Sequence, residues 1–533
     1  MTSANDRSGT PGGAASSGAA APVGGPAAGT PGTGIRRQAV VIVHGMGEHR
    51  PGDALNGFIN AGLPADGSGR RLFYSRPDTV TDSFEARRYI APATAARPQT
   101  EFFEYHWAHL MRGNRLDDLW PTFRRMLLTN PRNVPSGLRL VWLLFWSLIL
   151  WCAWALAVGP LSGLSVTDAD VAESLLRGLL GGGTVAALLS YLAARVLSRG
   201  ITRSFVDVVR YLDTSPRSYE VRRAVRKGFI ELLRGLHEQT LFGEPRYGRI
   251  IVVGHSLGAF IAYDGITYLW GEMNGARHAR RFAGLEGLVE AEQRAAVLPD
   301  RPQRPSGQPP PQELRAYQDA QRRLWRSLRG LRHPWRVTDL VTVGTSMYFA
   351  DRLYLRNRRE FDRRVARGEL PVSPPISDPD PRTTPDPELS QGTAPQEEAT
   401  TVDQSLPRFT WRRNRRVLHE SAPFAVVRWT NLWFPHRSGS GDWFGGPLSP
   451  LYGNGIRDVE IRGNTRGRWL WLSGRLVPGL AHSRYFRFPG DTRPESVTTV
   501  LQQAMDLDLA TFGPDRDDPA RRRPVVPTQS SSG

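Results

Sequence analysis

A chain of 533 residues, 40% of them hydrophobic, has material for two or three domains and a sizeable core. Its net charge is +18, but only Lys227 of its 69 basic residues is a lysine, and the arginines are spread along the chain. That spread argues against nucleic acid as a partner and for attraction to anionic lipid headgroups, and the lone Cys152 excludes an internal disulfide framework or a cysteine-based zinc site.

Residues 1–34 are mostly Gly, Ala, Ser, Pro and Thr. They have neither the basic nor the apolar region of a signal peptide, and they bury too little surface to order, so disorder is expected. Folded sequence is expected over 35–137. Ala39–Val43 (AVVIV) reads as a strand buried on both faces, and Thr100–His106 is a second candidate. The first run ends in His44-Gly45-Met46-Gly47-Glu48-His49. A glycine turn after a strand suits a backbone donor to a developing oxyanion, and Met46 N–H is placed in that role. His44 and His49 are not taken as metal ligands, and no metal or organic cofactor is expected.

Residues 138–197 read as a helical hairpin crossing a membrane. Leu140 to Thr167 carries no charge and is long enough to span. Small residues recur at Gly178, Gly182, Ala186, Ser190 and Ala194, letting a second helix approach closely. Arg124, Arg125, Arg132 and Arg139 precede the pair, Arg195, Arg199 and Arg203 follow it, and Asp168, Asp170 and Glu173 lie between. The positive-inside rule then puts both ends in the cytoplasm. Trp142, Trp146, Trp151 and Trp154 sit within the first span rather than only at its edges, which the spanning reading does not explain.

Over 198–370, Ser218–His237 has helical periodicity, and Arg249–Val253 and Asp339–Val343 read as buried strands. Between them, Gly254-His255-Ser256-Leu257-Gly258 leads from strand directly into the helical run Ala259–Leu269. The G-x-S-x-G pentapeptide alone is a weak signal. On a strand-to-helix turn it has a mechanism, because flanking glycines let a strained serine project its Oγ. Ser256 is therefore the candidate nucleophile and Leu257 N–H the second oxyanion donor. Residues 371–406 read as a disordered insertion and 514–533 as a disordered tail; a proline-rich stretch near 298–312 reads as a loop. Phe424–Trp429 (FAVVRW) is a further strand candidate within 407–513. Strands alternating with helices predict an α/β fold with a mostly parallel sheet and helices on both faces.

VVIVHGMGEH and RIIVVGHSLGAFIAYD resemble the third-strand and nucleophile-elbow motifs of α/β-hydrolase lipases and esterases. LVTVGTSM (340–347) and FAVVRWTNLW (424–433) resemble that fold's sixth and seventh strands, so the resemblance runs from about 38 to 490 with interruptions. It implies hydrolysis of carboxylic esters, of lipids or other apolar acyl groups, through a Ser-Asp-His triad and an acyl-enzyme. Thioester cleavage, acyl transfer and an inactive hydrolase-fold scaffold are the alternatives. The family's order of serine, acid and histidine implies His482 as the base. It implies an acid from the stretch holding Asp442, Asp458 and Glu460. Asp442, in SGSGDWFGGPL, resembles the family's acid turn most closely. Asp351 stays open, because some lipases carry the acid after the sixth strand.

Overall fold

The computed structural model describes residues 37–45, 52–65, 69–80, 87–95, 97–111, 216–274, 287–298, 312–353, 357–376, 420–435, 444–461 and 493–508, with isolated positions between them. Strand β1 (Arg37–Val43) is followed by helix α1 (Asp53–Gly62), strands β2 (Tyr74–Pro77) and β3 (Arg87–Ala91), and strand β4 (Gln99–Tyr105). Helix α2 (Pro216–Glu238) and a small hairpin of β5 (Thr240–Leu241) and β6 (Glu244–Pro245) lead to β7 (Arg249–His255) and α3 (Leu257–Met273). Then come α4 (Leu288–Ala296), α5 (Gln312–Gly330), β8 (Val337–Val343), α6 (Arg358–Ala366), β9 (Arg428–Trp433), β10 (Arg457–Glu460) and α7 (Val497–Met505).

Eight strands form one sheet in the order β10-β9-β8-β7-β1-β4-β3-β2. The run from β10 to β4 is parallel throughout, and only β3 is reversed, pairing antiparallel with β4 on one side and β2 on the other. This is the α/β architecture with a mostly parallel sheet that strand–helix alternation predicts. Alternate side chains explain why both faces are covered. Val41 and Val43 of β1 pack with Val252 of β7 under α2, α3 and α5. Val40 and Ile42 pack with Val253 and Val343 under α1 and α7. Each such aliphatic side chain contributes roughly 1.5–3 kcal/mol by leaving water.

At the N-terminal ends of the strands, buried Arg249 donates to Asp339 at 2.6 Å and to the carbonyls of Met505 and Asp506 at 2.8 and 2.7 Å. It thereby fastens the end of α7 to the sheet. At the opposite ends, Val43, Gly254, Thr342 and Asn431 stand in register across four strands. The chain moves from β1 to β4 on one side, then crosses β1 to reach β7. In open parallel sheets such a reversal leaves a crevice beyond the carboxyl ends.

Two expectations need correction. Phe424–Trp429 is not one strand: Pro423–Ala425 forms a 3-10 turn and β9 begins at Arg428. Phe424 through Val427 are buried all the same, and a buried turn and a buried strand have the same apolar signature. The stretch 371–406 is not disordered from its start. Ser373 N–H donates to Tyr452 O and Ser373 O accepts from Gly455 N–H, both at 2.7 Å, so backbone pairing holds residues through 376 despite their prolines. The rest of that stretch, residues 1–34 and 514–533 lie outside the described residues. Of 138–197, only Arg139, Trp142, Leu143, Trp146, Ser147 and Leu150 are described, all helical. Among the described residues no helix is long and apolar enough to cross a membrane.

Candidate active site

Ser256 joins β7 to α3 with φ 53° and ψ −122°, a left-handed conformation that few side chains adopt. Its neighbours must be glycine. A Cβ on Gly254 would lie 2.5 Å from Ala259 Cα, and one on Gly258 would lie 2.1 Å from Val43 O. The turn after β1 is equally tight, since a Cβ on Gly45 would come within 2.9 Å of Ser256 Cβ. The G-x-S-x-G spacing and the glycine after His44 thus meet one demand: the ends of β1 and β7 touch at Ser256.

His482 Nε2 lies 2.8 Å from Ser256 Oγ, and His482 Nδ1 lies 3.1 Å from both carboxylate oxygens of Asp442. Nδ1–H then donates to the carboxylate and Nε2 is left to accept the serine hydroxyl proton. The His482 carbonyl accepts a hydrogen bond from His255 Nε2 at 3.2 Å, fixing the backbone of the histidine against the elbow. Asp442 is fully buried. Burial alone raises its pKa. Electrostatic attraction to His482, with hydrogen bonds from His482, Tyr485 and Phe444 N–H, outweighs burial and leaves the carboxyl below its ordinary value.

No sequence pattern singles out Tyr485. Its hydroxyl donates to Asp442 Oδ2 at 2.7 Å and accepts from Phe434 N–H at 3.1 Å. Burial, and then the Asp442 charge, push its pKa well up, so the tyrosine keeps its proton. Space for this contact comes from Gly344 and Gly445, whose Cβ atoms would fall 2.4 Å from the Tyr485 ring and 2.6 Å from Asp442 Oδ2.

The other sequence candidates fall elsewhere. Asp351 lies in the short turn Ala350–Leu353, 3.8 Å from Arg352, and both ring nitrogens of His482 are engaged by Ser256 and Asp442. Asp458 accepts from Asn431 Nδ2, Leu448 N–H and Ser449 N–H at 2.7–2.9 Å, so it braces the loop that carries Asp442. Glu460 ends β10 opposite Trp433. His44 is buried against Trp107, donating through Nδ1 to Gly45 O at 2.7 Å and accepting from Trp107 N–H at Nε2, 3.4 Å. Its ring holds the turn after β1, and among the described residues no cluster could hold a metal ion. Leu257 is the first residue of α3, so the helix makes no use of its N–H. Met46 and His49 lie outside the described residues.

Comparison of the chain with protein-family models, with curated proteins and with solved structures found no match.

Proposed function

We propose that this chain is a membrane-anchored serine hydrolase of the α/β-hydrolase type that cleaves carboxylic esters. One observation carries the reading: a serine at positive φ, 2.8 Å from a histidine that a buried carboxylate holds from behind. Strain of this kind persists only where surrounding structure enforces it, and it clusters at reactive sites. A bland serine turn gains nothing from it, which weighs against an inactive scaffold.

In the proposed reaction, Ser256 Oγ attacks the ester carbonyl as His482 Nε2 takes its proton. Asp442 holds the imidazole tautomer and stabilises the positive charge that forms. The oxyanion receives Leu257 N–H at the head of α3, where the helix dipole also favours negative charge, and Met46 N–H from the turn after β1. His482 returns its proton to the leaving alcohol, and an acyl-Ser256 ester remains. Water, deprotonated by the same histidine, then releases the acid and restores the serine. Thioesters, or an acyl acceptor other than water, would use the same steps.

The anchor is the hairpin of 138–197, with the catalytic domain cytoplasmic. β1 and β7 are neighbours in one sheet, yet the hairpin lies between them in sequence. Any crossing must therefore occur an even number of times, which two spans satisfy.

A fluorophosphonate probe tests the chemistry. The full chain should label covalently, and Ser256→Ala should not, while remaining folded by circular dichroism. Equal labelling of the two proteins would end the proposal. Alkaline carbonate washing of membranes tests the anchor; the protein should stay with the lipid, and its release would refute insertion.

A further inference from the structure

The helical residues at the start of the uncharged run divide into two faces. Trp142 and Trp146 are half-buried, with ring centroids 6.0 Å apart, and Trp142 packs against the buried pair Val134 and Phe349 together with Tyr348. Arg139, Leu143, Ser147 and Leu150, at i, i+4, i+8 and i+11, are exposed, with the arginine at the end nearer the folded domain. The two leucines are 54% and 62% exposed. Exposed leucines a turn or two beyond the arginine, beside a face that protein covers, favour an apolar medium there. The uncharged sequence running on to Thr167 points to lipid as that medium.

The covered face leads to the reacting groups in short steps. The Phe349 ring meets Tyr348 edge-on at 4.6 Å. Tyr348 fills the space beside Gly446, where a Cβ would fall 2.5 Å from its ring. Gly446 belongs to the loop of Asp442, and its carbonyl accepts from Asn431 Nδ2 at 3.0 Å.

We infer that Trp142, packed against the Val134–Phe349 pair, holds the bilayer surface against the rim of the Ser256 site, so that the substrate is an amphiphilic acyl ester drawn from the membrane. This rests on the hydrolase reading above. It also accounts for one tryptophan inside the apolar run: Trp142 faces the protein rather than the acyl chains.

The test uses the full chain in phosphatidylcholine–phosphatidylglycerol vesicles and has two arms. In a Cys152→Ser background, a nitroxide on Leu150→Cys should be broadened more by oxygen, which concentrates in lipid, than by a water-soluble nickel chelate. The reverse order overturns the bilayer contact. In the second arm, Trp142→Ala and Phe349→Ala are assayed on a long-chain ester in the vesicles and on a soluble short-chain ester. The ratio of the two rates should fall at least about tenfold in each variant, and no further in the double variant, as for one shared contact. An unchanged ratio overturns the coupling to the site. If the unaltered protein turns over neither ester, the hydrolase reading and the substrate assignment fall together, while the nitroxide still decides the bilayer contact.

Discussion

Tyr485 gives its phenolic hydrogen to Asp442 Oδ2 at 2.7 Å while its oxygen takes one from Phe434 N–H at 3.1 Å. The tyrosine therefore ties the acid loop to the end of β9 and sets the plane of the carboxylate facing His482. Tyr485→Phe removes both bonds and leaves a buried N–H without an acceptor. Stability should fall by ~1–3 kcal/mol. Turnover should fall while fluorophosphonate labelling of Ser256 persists at a lower rate. Wild-type values in urea melts and ester assays would show that the hydroxyl is idle.

Ser256 occupies a conformation that glycine adopts without strain. Ser256→Gly should abolish esterase activity and raise stability, because positive-φ strain costs about 1–3 kcal/mol. Thermal melts of Ser256→Gly and Ser256→Ala separate this effect from loss of the hydroxyl. Glycine should melt higher than alanine. The opposite ranking would mean that the elbow is not strained.

Asp442 and Asp351 are distinguished by neutral replacements. Asp442→Asn should lower kcat by ~10³–10⁴, since an amide favours the wrong imidazole tautomer. Asp351→Asn should stay within about threefold of the unaltered protein, because both ring nitrogens of His482 are engaged by Asp442 and Ser256. Interchanged effects would transfer the acid role to Asp351.

Glu104 carries a pH prediction. It is buried near the end of β4, accepts from Gly52 N–H at 2.7 Å, and its other oxygen, Oε1, has no hydrogen-bond partner among the described residues. Burial, then the Asp53 charge, push its pKa up to about 7 against the lowering effect of the Gly52 bond. The folded state thus binds more protons than the unfolded state between about pH 4.5 and 7, and stability falls as pH rises through that window. Glu104→Gln should be stabilised relative to the native residue at pH 8 by ~1–3 kcal/mol, with little difference near pH 4. Equal effects at both pH values would show that Glu104 does not titrate there.

Much of this site is readable from sequence because its demands are local. Gly254, Ser256 and Gly258 sit within five residues, and the contacts that exclude a Cβ at Gly254 and Gly258 involve the next helical turn and the end of β1. A buried strand followed by a helix is equally local, so β1, β7 and β8 stand close to where their apolar runs lie. The histidine is harder. Nothing around His482 distinguishes it, and only the order of residues in a resembling family points there. The acid is harder still, because Asp351, Asp442 and Asp458 all lie near strand ends, and long-range packing alone separates them. Asp458 spends its oxygens on Asn431 and two loop N–H groups, whereas Asp442 meets His482. Tyr485 is legible only in three dimensions, since its partners Phe434 and Asp442 lie 51 and 43 positions away.

The crossing of β1 by the connection from β4 to β7 has a consequence for biosynthesis. The edge of β1 that pairs with β7 waits for residues about two hundred positions later, so RQAVVIV leaves the ribosome with one hydrogen-bonding edge open. At ~5–20 residues per second that wait lasts on the order of 10–40 s. The apolar stretch AVVIV of that edge is a template for pairing with other nascent chains. Heterologous production should therefore fail by aggregation of N-terminal fragments, and pausing between β4 and β7 should aggravate it. Holdase chaperones that shield the β1 edge should raise yield more than agents that stabilise the finished fold.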